Sequence, residues 1–145
     1  MRPDELAARE AVRDTIARYA HAVDHGRLEE TAGCFAENGV LDVRDMGRHE
    51  GREAIMRVFE GAGRKLASAS TNAIVRHHVS SIQITVDVTA GRATASSYFF
   101  VLTEIGPDHW GSYRDELARE DATGRWLFTE RKVNVEGRTA PSRMA

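Results

Sequence analysis

Apolar positions near the amino terminus of the chain repeat at helical spacing. The pattern begins at Asp4 and stops at Gly26, and its apolar members are Val12, Ile16, Tyr19, Ala20 and Val23. Apolar residues three and four apart share one face of a helix, and glycine commonly ends one. The pattern therefore predicts an amphipathic helix with Tyr19 in its inner stripe.

Shorter segments follow before residue 70. In chain order they are a short helix from Leu28 to a stop at Asn38-Gly39, a short strand at 40–43, a polar loop at 44–50, and a helix that opens at Gly51 and packs through Ile55, Val58 and Phe59. Asn-Gly and glycine-containing polar stretches are typical of chain turns. The first half of the chain is therefore predicted to be mainly helical.

After Ala69 the pattern changes to long runs rich in β-branched and aromatic residues. Turn signals separate the runs, which cover 74–88, 92–105, 109–120 and 125–135. This spacing predicts consecutive antiparallel hairpins, and helices followed by strands favour the α+β class. Because strands usually have only ~5–6 residues, strands this long have to curl. A curled sheet covered by helices encloses a pocket.

Composition and charge narrow the class of protein. A chain of 145 residues, 41% hydrophobic and 29% charged, is typical of one globular domain. Its 20 Lys and Arg against 22 Asp and Glu include no basic run, so nucleic acid is not an expected partner. The longest apolar run, 98–102, is far shorter than the ~20 residues of a membrane span, and acidic residues occupy the amino terminus. A cytoplasmic protein with no membrane partner is expected.

Cys34 is the only cysteine of the chain. One thiol excludes an internal disulfide and an all-cysteine metal site. Because Cys34 lies in an apolar-patterned stretch, we expect a buried thiol.

Three groups of residues could carry chemistry: Tyr19 with Asp24, the pair His77-His78, and Tyr113-x-Asp115. Adjacent histidines on a strand point to opposite faces, so only one of the pair can line a pocket. Alternation along the strand does not choose between them, because a bulge at Ser80-Ser81 would exchange the faces.

No motif of a nucleotide-binding, nucleophilic-serine or zinc-peptidase site occurs in the chain. Proton transfer is the remaining chemistry. A carboxylate bonded to an imidazole fixes its tautomer and makes it a better base, and a nearby phenol donates a proton or polarises a carbonyl. Asp24, His77 and Tyr19 supply these three groups.

Several segments together resemble a known family. They are Arg18 to Gly26, Phe35 to Gly39, Gly51 to Ile55, Arg76 to Val79, Tyr113 to Leu117, and Gly124 to Trp126. The set resembles the SnoaL-like family of the nuclear-transport-factor-2-like superfamily, in particular the branch with scytalone dehydratase and bile-acid 7α-dehydratase. The resemblance implies one domain over 1–145, with a core at about 5–135 and a tail at 137–145.

The resemblance also implies a fold, a site and an activity. It implies a cone-shaped α+β barrel with a curved antiparallel sheet wrapped on amino-terminal helices, an apolar pocket and a homodimer. His77 corresponds to the base, Asp24 to its partner and Tyr19 to the phenol, while a late arginine of the site corresponds to either Arg119 or Arg131. The expected activity is that of a dehydratase (lyase) or isomerase that needs no cofactor or metal and acts on a steroid, polyketide or terpenoid-like ring. A binding or dimerisation module of the same fold is the alternative.

Overall fold

The computed structural model describes residues 1–144 and contains three helices and six strands. The elements are α1 (Pro3–Asp24), α2 (Leu28–Gly33), β1 (Phe35–Val43), β2 (Gly47–Glu50), α3 (Arg52–Ala69), β3 (Val75–Asp87), β4 (Arg92–Thr103), β5 (Gly106–Arg119) and β6 (Trp126–Arg138). No helix within these described residues is both long and apolar enough to cross a membrane.

Helix α1 follows the apolar pattern of the sequence. Val12, Ile16 and Tyr19 are buried against the sheet. The helix ends at Asp24, and Gly26 then takes a left-handed conformation with φ of 67°, which glycine adopts without the steric cost of a Cβ. The turn at Gly26 therefore fixes Asp24 as the last residue of the helix, facing β3.

The six strands form one curved sheet in the order β2-β1-β6-β5-β4-β3. Strands β3 to β6 are successive antiparallel neighbours, as the turn spacing predicts. Strand β1 runs parallel to β6, so the sheet is mixed. The α+β prediction is confirmed, and the one parallel pair is a detail that local sequence pattern does not reveal, because it joins distant segments.

Two local expectations differ from the structure. The helix predicted from Leu28 onwards stops at Gly33, and Phe35 already begins β1. The predicted polar loop at 44–50 contains β2, whose residues Gly47–Glu50 pair with β1. Strand β2 lies at the edge of the sheet, and its side chains are mostly exposed. It therefore has no apolar alternation that could have marked it as a strand.

A bulge divides β3 into two parts. Ser80 pairs with Tyr98 and Gln83 pairs with Ser96, so β3 has one residue more than β4 in this interval. Ser81 has a φ of 53° there. An extra residue exchanges the faces of a strand, and the residues packed against the core accordingly change from odd positions to even ones: Val75, Val79, Ile82, Ile84 and Val86.

Strands β5 and β6 approach closely at a second irregularity, between Trp110 and Gly111. A Cβ on Gly111 would overlap the backbone carbonyl of Asn134, and a Cβ on Gly137 would overlap the Trp110 indole. Glycine inside a strand often marks such a close approach. A side chain at Gly111 would therefore force the backbone apart, whereas one at Gly137 would displace the partly exposed Trp110 indole.

The tail predicted at 137–145 begins later than expected. Strand β6 includes Gly137 and ends at Arg138. The following residues return to the start of β5, where Thr139 donates its backbone N–H to the carbonyl of Asp108 at 2.8 Å. Ala145 lies outside the described residues.

Candidate active site

Asp24 and His77 lie together between α1 and β3. The Nδ1 atom of His77 is 2.6 Å from Oδ1 of Asp24. The backbone N–H of His77 also faces both carboxylate oxygens, at 3.1 and 3.0 Å. The side chains are only 13% and 7% exposed. One carboxylate thus holds both the ring and the backbone of the same histidine, which fixes the orientation of the imidazole.

The sheet register places His77 on the inner face. His77 pairs with Val101 on β4, and Val101 is fully buried. Directly paired residues of an antiparallel sheet point to the same side. Phe99 lies beside the imidazole, with 6.5 Å between ring centroids. His77 therefore borders the aromatic interior.

His78 lies on the outer face of the sheet. Its ring stacks on Phe100 with 4.7 Å between centroids and 6° between planes. Phe100 is itself 43% exposed. The structure therefore answers the question that alternation left open: His77 contacts Asp24, and His78 points away from it.

Tyr19 lies deeper in the interior. The rings of Phe35, Phe59, Tyr113 and Phe128 meet it edge-on, with centroids 5.8 to 6.3 Å away. Burial raises the pKa of Tyr19 to about 12, against the opposing charge of Arg131. The phenol therefore stays protonated at neutral pH and is suited to donating a hydrogen bond.

A buried ion pair lies beside Tyr19. Nε and Nη2 of Arg131 donate to the two carboxylate oxygens of Asp115 at 2.8 and 3.0 Å, and both side chains are fully buried. The guanidinium carbon lies 3.7 Å from the Tyr113 ring centroid and 4.4 Å from that of Tyr19. Burial alone would lower the pKa of Arg131, but the charge of Asp115 outweighs it and raises the pKa. Arg131 is therefore a permanent cation next to the phenol.

The two candidate arginines lie in different parts of the molecule. Arg131 is 0% exposed in the interior, whereas the Arg119 guanidinium lies 5.9 Å from the Trp126 ring centroid and packs near Gly91 at the end of the sheet. Within residues 1–144, Nη1 of Arg131 is a buried atom with no hydrogen-bond partner. Arg131 thus lies in the interior beside Tyr19 and retains a hydrogen-bond donor.

The structure joins Asp24 to His77 but not to Tyr19. No hydrogen bond connects Tyr19 with either residue in the described part of the chain. The link is a row of rings: Phe99 lies beside His77 and stacks on Tyr113 with 4.5 Å between centroids, and Tyr113 contacts Tyr19. The three predicted residues therefore border one interior at two depths.

A second Asp–His pair, which local sequence pattern does not reveal, lies at the start of β5. His109 lies on β5 opposite Val101, so it shares the inner face with His77. Its Nδ1 atom is 2.7 Å from Oδ2 of Asp108, and these side chains are 13% and 1% exposed. The His77 and His109 rings are 6.5 Å apart between centroids. Cross-strand register is the only signal that brings these residues together, and a single sequence does not supply it.

Comparisons with known proteins identify the family. A family model described as a SnoaL-like domain matches residues 4–132. The chain belongs to the SnoaL-like family. This confirms the resemblance inferred from the sequence. A search of curated proteins finds no match.

Solved structures share the fold of this SnoaL-like chain. A protein from Catenulispora acidiphila in complex with S-DNPA is 29% identical, with 90% of this chain and 94% of that chain covered and a TM-score of 0.76. A proposed scytalone dehydratase from Novosphingobium aromaticivorans is 24% identical over 96% and 91%, with a TM-score of 0.79. ActVI-ORFA from Streptomyces coelicolor is 23% identical over 92% and 98%, with a TM-score of 0.76. The last two similarities establish the fold alone.

Proposed function

We propose that this SnoaL-like protein is a cofactor-independent lyase (dehydratase) or isomerase that acts on a hydrophobic ring-type small molecule. His77 removes a proton next to a carbonyl or leaving group, and Asp24 positions it. The observation that carries this proposal is the 2.6 Å contact between Nδ1 of His77 and the Asp24 carboxylate. This contact leaves Nε2 of the ring as the nitrogen that meets substrate.

Tyr19 and Arg131 provide the deeper end of the proposed site. Burial raises the pKa of Tyr19 to about 12, so the phenol keeps its proton at neutral pH and has an O–H group to donate to a substrate oxygen. Arg131 adds a fixed positive charge beside it. Together they stabilise negative charge on a substrate carbonyl oxygen while His77 withdraws the proton.

Aromatic surroundings support a hydrophobic ring substrate such as a steroid, polyketide or terpenoid-like molecule. Phe99, Tyr113 and Phe128 contribute rings to the interior. Aromatic walls with a few placed polar groups are the usual composition of small-molecule sites. The Catenulispora relative has been solved with the small molecule S-DNPA bound, which is consistent with a ligand-binding role here.

The test is a turnover screen with matched variants. Wild-type protein is incubated with a panel of cyclic ketones and hydroxyketones, and products are followed by mass spectrometry. For a substrate found in this way, His77→Gln and Asp24→Asn are each expected to lose activity, His77→Gln by ~10²–10⁴-fold, because that is the usual contribution of a general base. His78→Gln is the control on the outer face.

Retained turnover in both variants, within a few-fold of wild type, would refute the assignment of His77. A panel compound that binds wild type and His77→Gln equally well and is never converted would instead support the binding module.

Exposed aromatic residues on the outer face favour a homodimer. Tyr98 is 62% exposed, Phe100 43% and Trp110 41%, and the register places Phe100 between His78 and Trp110. Contiguous exposed apolar surface commonly marks an interaction site. We propose that this outer aromatic patch (Tyr98, Phe100 and Trp110) packs against a second copy of the chain.

A further inference from the structure

A groove runs between α1 and the outer edge of β3. Strand β3 is the last strand of the sheet, so no other strand pairs with this edge. Helix α1 lies along it and contacts it at two places: Nη1 of Arg9 donates to the carbonyl of Ile84 at 2.7 Å, and Asp24 holds His77. Between these contacts the groove encloses about 400 Å³, which lies in the range of small-molecule sites, ~300–1,000 Å³.

The groove is separate from the aromatic interior, and a large part of its lining is apolar. None of the rings around Tyr19 lines it. Its apolar members come from α1 and β3, and they are Ile16, Ala17, Ala20, Val79 and Ile82. Apolar surface of this kind favours a ligand with an apolar body, because burying both surfaces removes them from water.

Basic side chains gather at one end of the groove. We call them the basic cluster, and they are His21, His25, Arg76 and His78. Arg76 and His78 flank His77 along β3. His25 directly follows the last residue of α1, and His21 stacks on it with 6.3 Å between ring centroids and 3° between planes. The basic cluster therefore lies at the end of the groove where α1 stops.

Arg76 is the permanent positive charge of the basic cluster. Its Nη1 donates to the adjacent carbonyl of Val75 at 2.8 Å, and no carboxylate pairs with it within residues 1–144. Asp24 is the one carboxylate of the groove lining, and His77 already contacts both of its oxygens. The Arg76 guanidinium thus keeps donors for an outside anion, and its planar fork matches a carboxylate.

The open edge of β3 adds backbone groups to the same groove. The N–H of His77 points away from β4, towards Asp24. Because alternate residues of a strand direct their backbone groups to the same edge, Val79 also presents its N–H and C=O to the groove. Only about 20 Å of edge lies between His77 and Ile84 at the usual rise of a strand, and α1 crosses to β3 at both limits. This length suits a small molecule better than an extended peptide, whose chain would have to continue past these contacts.

We propose that the groove between α1 and β3 is a second binding site, which takes an amphipathic carboxylate. Arg76 binds the carboxylate, with the imidazoles of the basic cluster around it. The apolar body lies over Val79 and Ile82, away from that end. This site is distinct from the aromatic interior, so the inference goes beyond the proposed lyase or isomerase and holds whichever reaction His77 performs.

The test compares cyclohexylbutyrate with its primary amide, which has the same shape but no charge. In isothermal titration calorimetry we expect wild-type protein to bind the carboxylate ~10-fold or more tightly than the amide, the usual effect of a hydrogen bond to a charged group. Arg76→Gln should bind the two compounds alike. The matched control is Arg13→Gln, which removes an arginine at the other end of the groove, one helical turn from Arg9, and should keep the preference.

NMR locates the bound compound. On addition of cyclohexylbutyrate, the backbone amide signals of Val79 and Ile82 should shift in wild type. Shifts at Phe99 and Tyr113 in their place would put the compound in the aromatic interior and overturn the groove as its site.

Equal affinity of wild-type protein for the two compounds, or no binding of either at millimolar concentration, would overturn the carboxylate. A preference kept in folded Arg76→Gln and lost in Arg13→Gln would overturn the role of Arg76. A dimer that dissociates in Arg76→Gln and persists in Arg13→Gln, measured by sedimentation without added compound, would assign the groove to a second copy of the chain and contradict the proposal.

Discussion

Both faces of the curved sheet carry histidine and aromatic side chains, which are buried on the inner face and exposed on the outer one. On the inner face, His77 and His109 are each bonded to a carboxylate. On the outer face, His78 makes only a stacking contact with Phe100, and Trp110 is exposed to 41%. The adjacent residues His77 and His78 thus differ in their contacts and in their burial.

The difference shows what makes a histidine a candidate for catalysis in this fold. Residue type and strand position are shared by His77 and His78. A carboxylate from another element is present only for His77, through the end of α1 at Asp24. Orientation of the ring by a second element is therefore the feature that separates a candidate base from a surface residue.

The largest expected effect is on turnover, by exchange of the adjacent histidines. His77→Ala should reduce the rate by ~10²–10⁴-fold, as expected for loss of a general base. His78→Ala should stay within a few-fold of wild type, because it lies on the far face. Steady-state kinetics on one substrate measures both variants. A larger loss of turnover in His78→Ala than in His77→Ala would contradict the assignment of His77 as the base.

The inner face should also be the more sensitive to loss of a charge. Arg131→Met removes the partner of buried Asp115 and is expected to cost ~3–5 kcal/mol of unfolding free energy, because the carboxylate is left uncompensated. Urea denaturation measures this. The control is Arg18→Met, which breaks the exposed pair with Asp14 and should cost no more than ~0.5 kcal/mol.

A double variant sharpens the same point. Asp115→Leu combined with Arg131→Met removes both charges and should be more stable than Arg131→Met alone. If the double variant were the less stable of the two, packing and not charge would explain the loss.

The outer face should respond in assembly and not in folding. Phe100→Asp places a charge in the outer aromatic patch, and we expect it to shift a homodimer to monomer in sedimentation while the unfolding midpoint of the protomer changes little. Leu6→Asp is the control, because Leu6 is 60% exposed on α1. Wild-type protein that sediments as a monomer at micromolar concentration would remove the proposed dimer.

The smallest expected effect depends on pH. Hydrogen bonds that outweigh burial lower the pKa of Asp108, so their stabilisation is present above the ordinary value of ~3.9 and is lost as pH falls through the lowered one. Ser142→Ala removes one of these bonds and should cost about 1 kcal/mol at pH 7. In urea denaturation the difference from wild type should shrink in the acid range. An equal difference at pH 7 and in acid would show that the Ser142 bond does not depend on the charge.

Much of the fold follows from pattern within short windows of sequence. The stripe through Val12 and Ile16 locates α1, and turn residues separate β3, β4, β5 and β6. Strand β2 could not be predicted from the sequence, because its polar edge residues show no alternation of apolar and polar positions. The parallel pairing of β1 with β6 could not be predicted either, because it joins segments about ninety residues apart.

Some residues of the candidate site could be predicted from the sequence, and others could not. Asp24, His77 and Tyr19 stood out through chemistry and resemblance, and the bulge at Ser81 that alternation allowed is present. His109 and Asp108 could not be found, because their significance depends on register across three strands. That Arg131 and not Arg119 lies in the interior depends on the same register, since both residues lie on strands of the sheet.

The bulge at Ser81 lets the two halves of β3 present opposite sequence positions to the core. Deletion of one codon there would restore a single alternation, and one half of the strand would have to turn over. Each half holds a buried apolar side chain, Val75 before the bulge and Ile84 after it, so inversion of either half would remove a side chain from the core. Inversion of the half that bears His77 would also turn this histidine away from Asp24. The extra residue at the bulge therefore decides which of the two adjacent histidines faces the carboxylate.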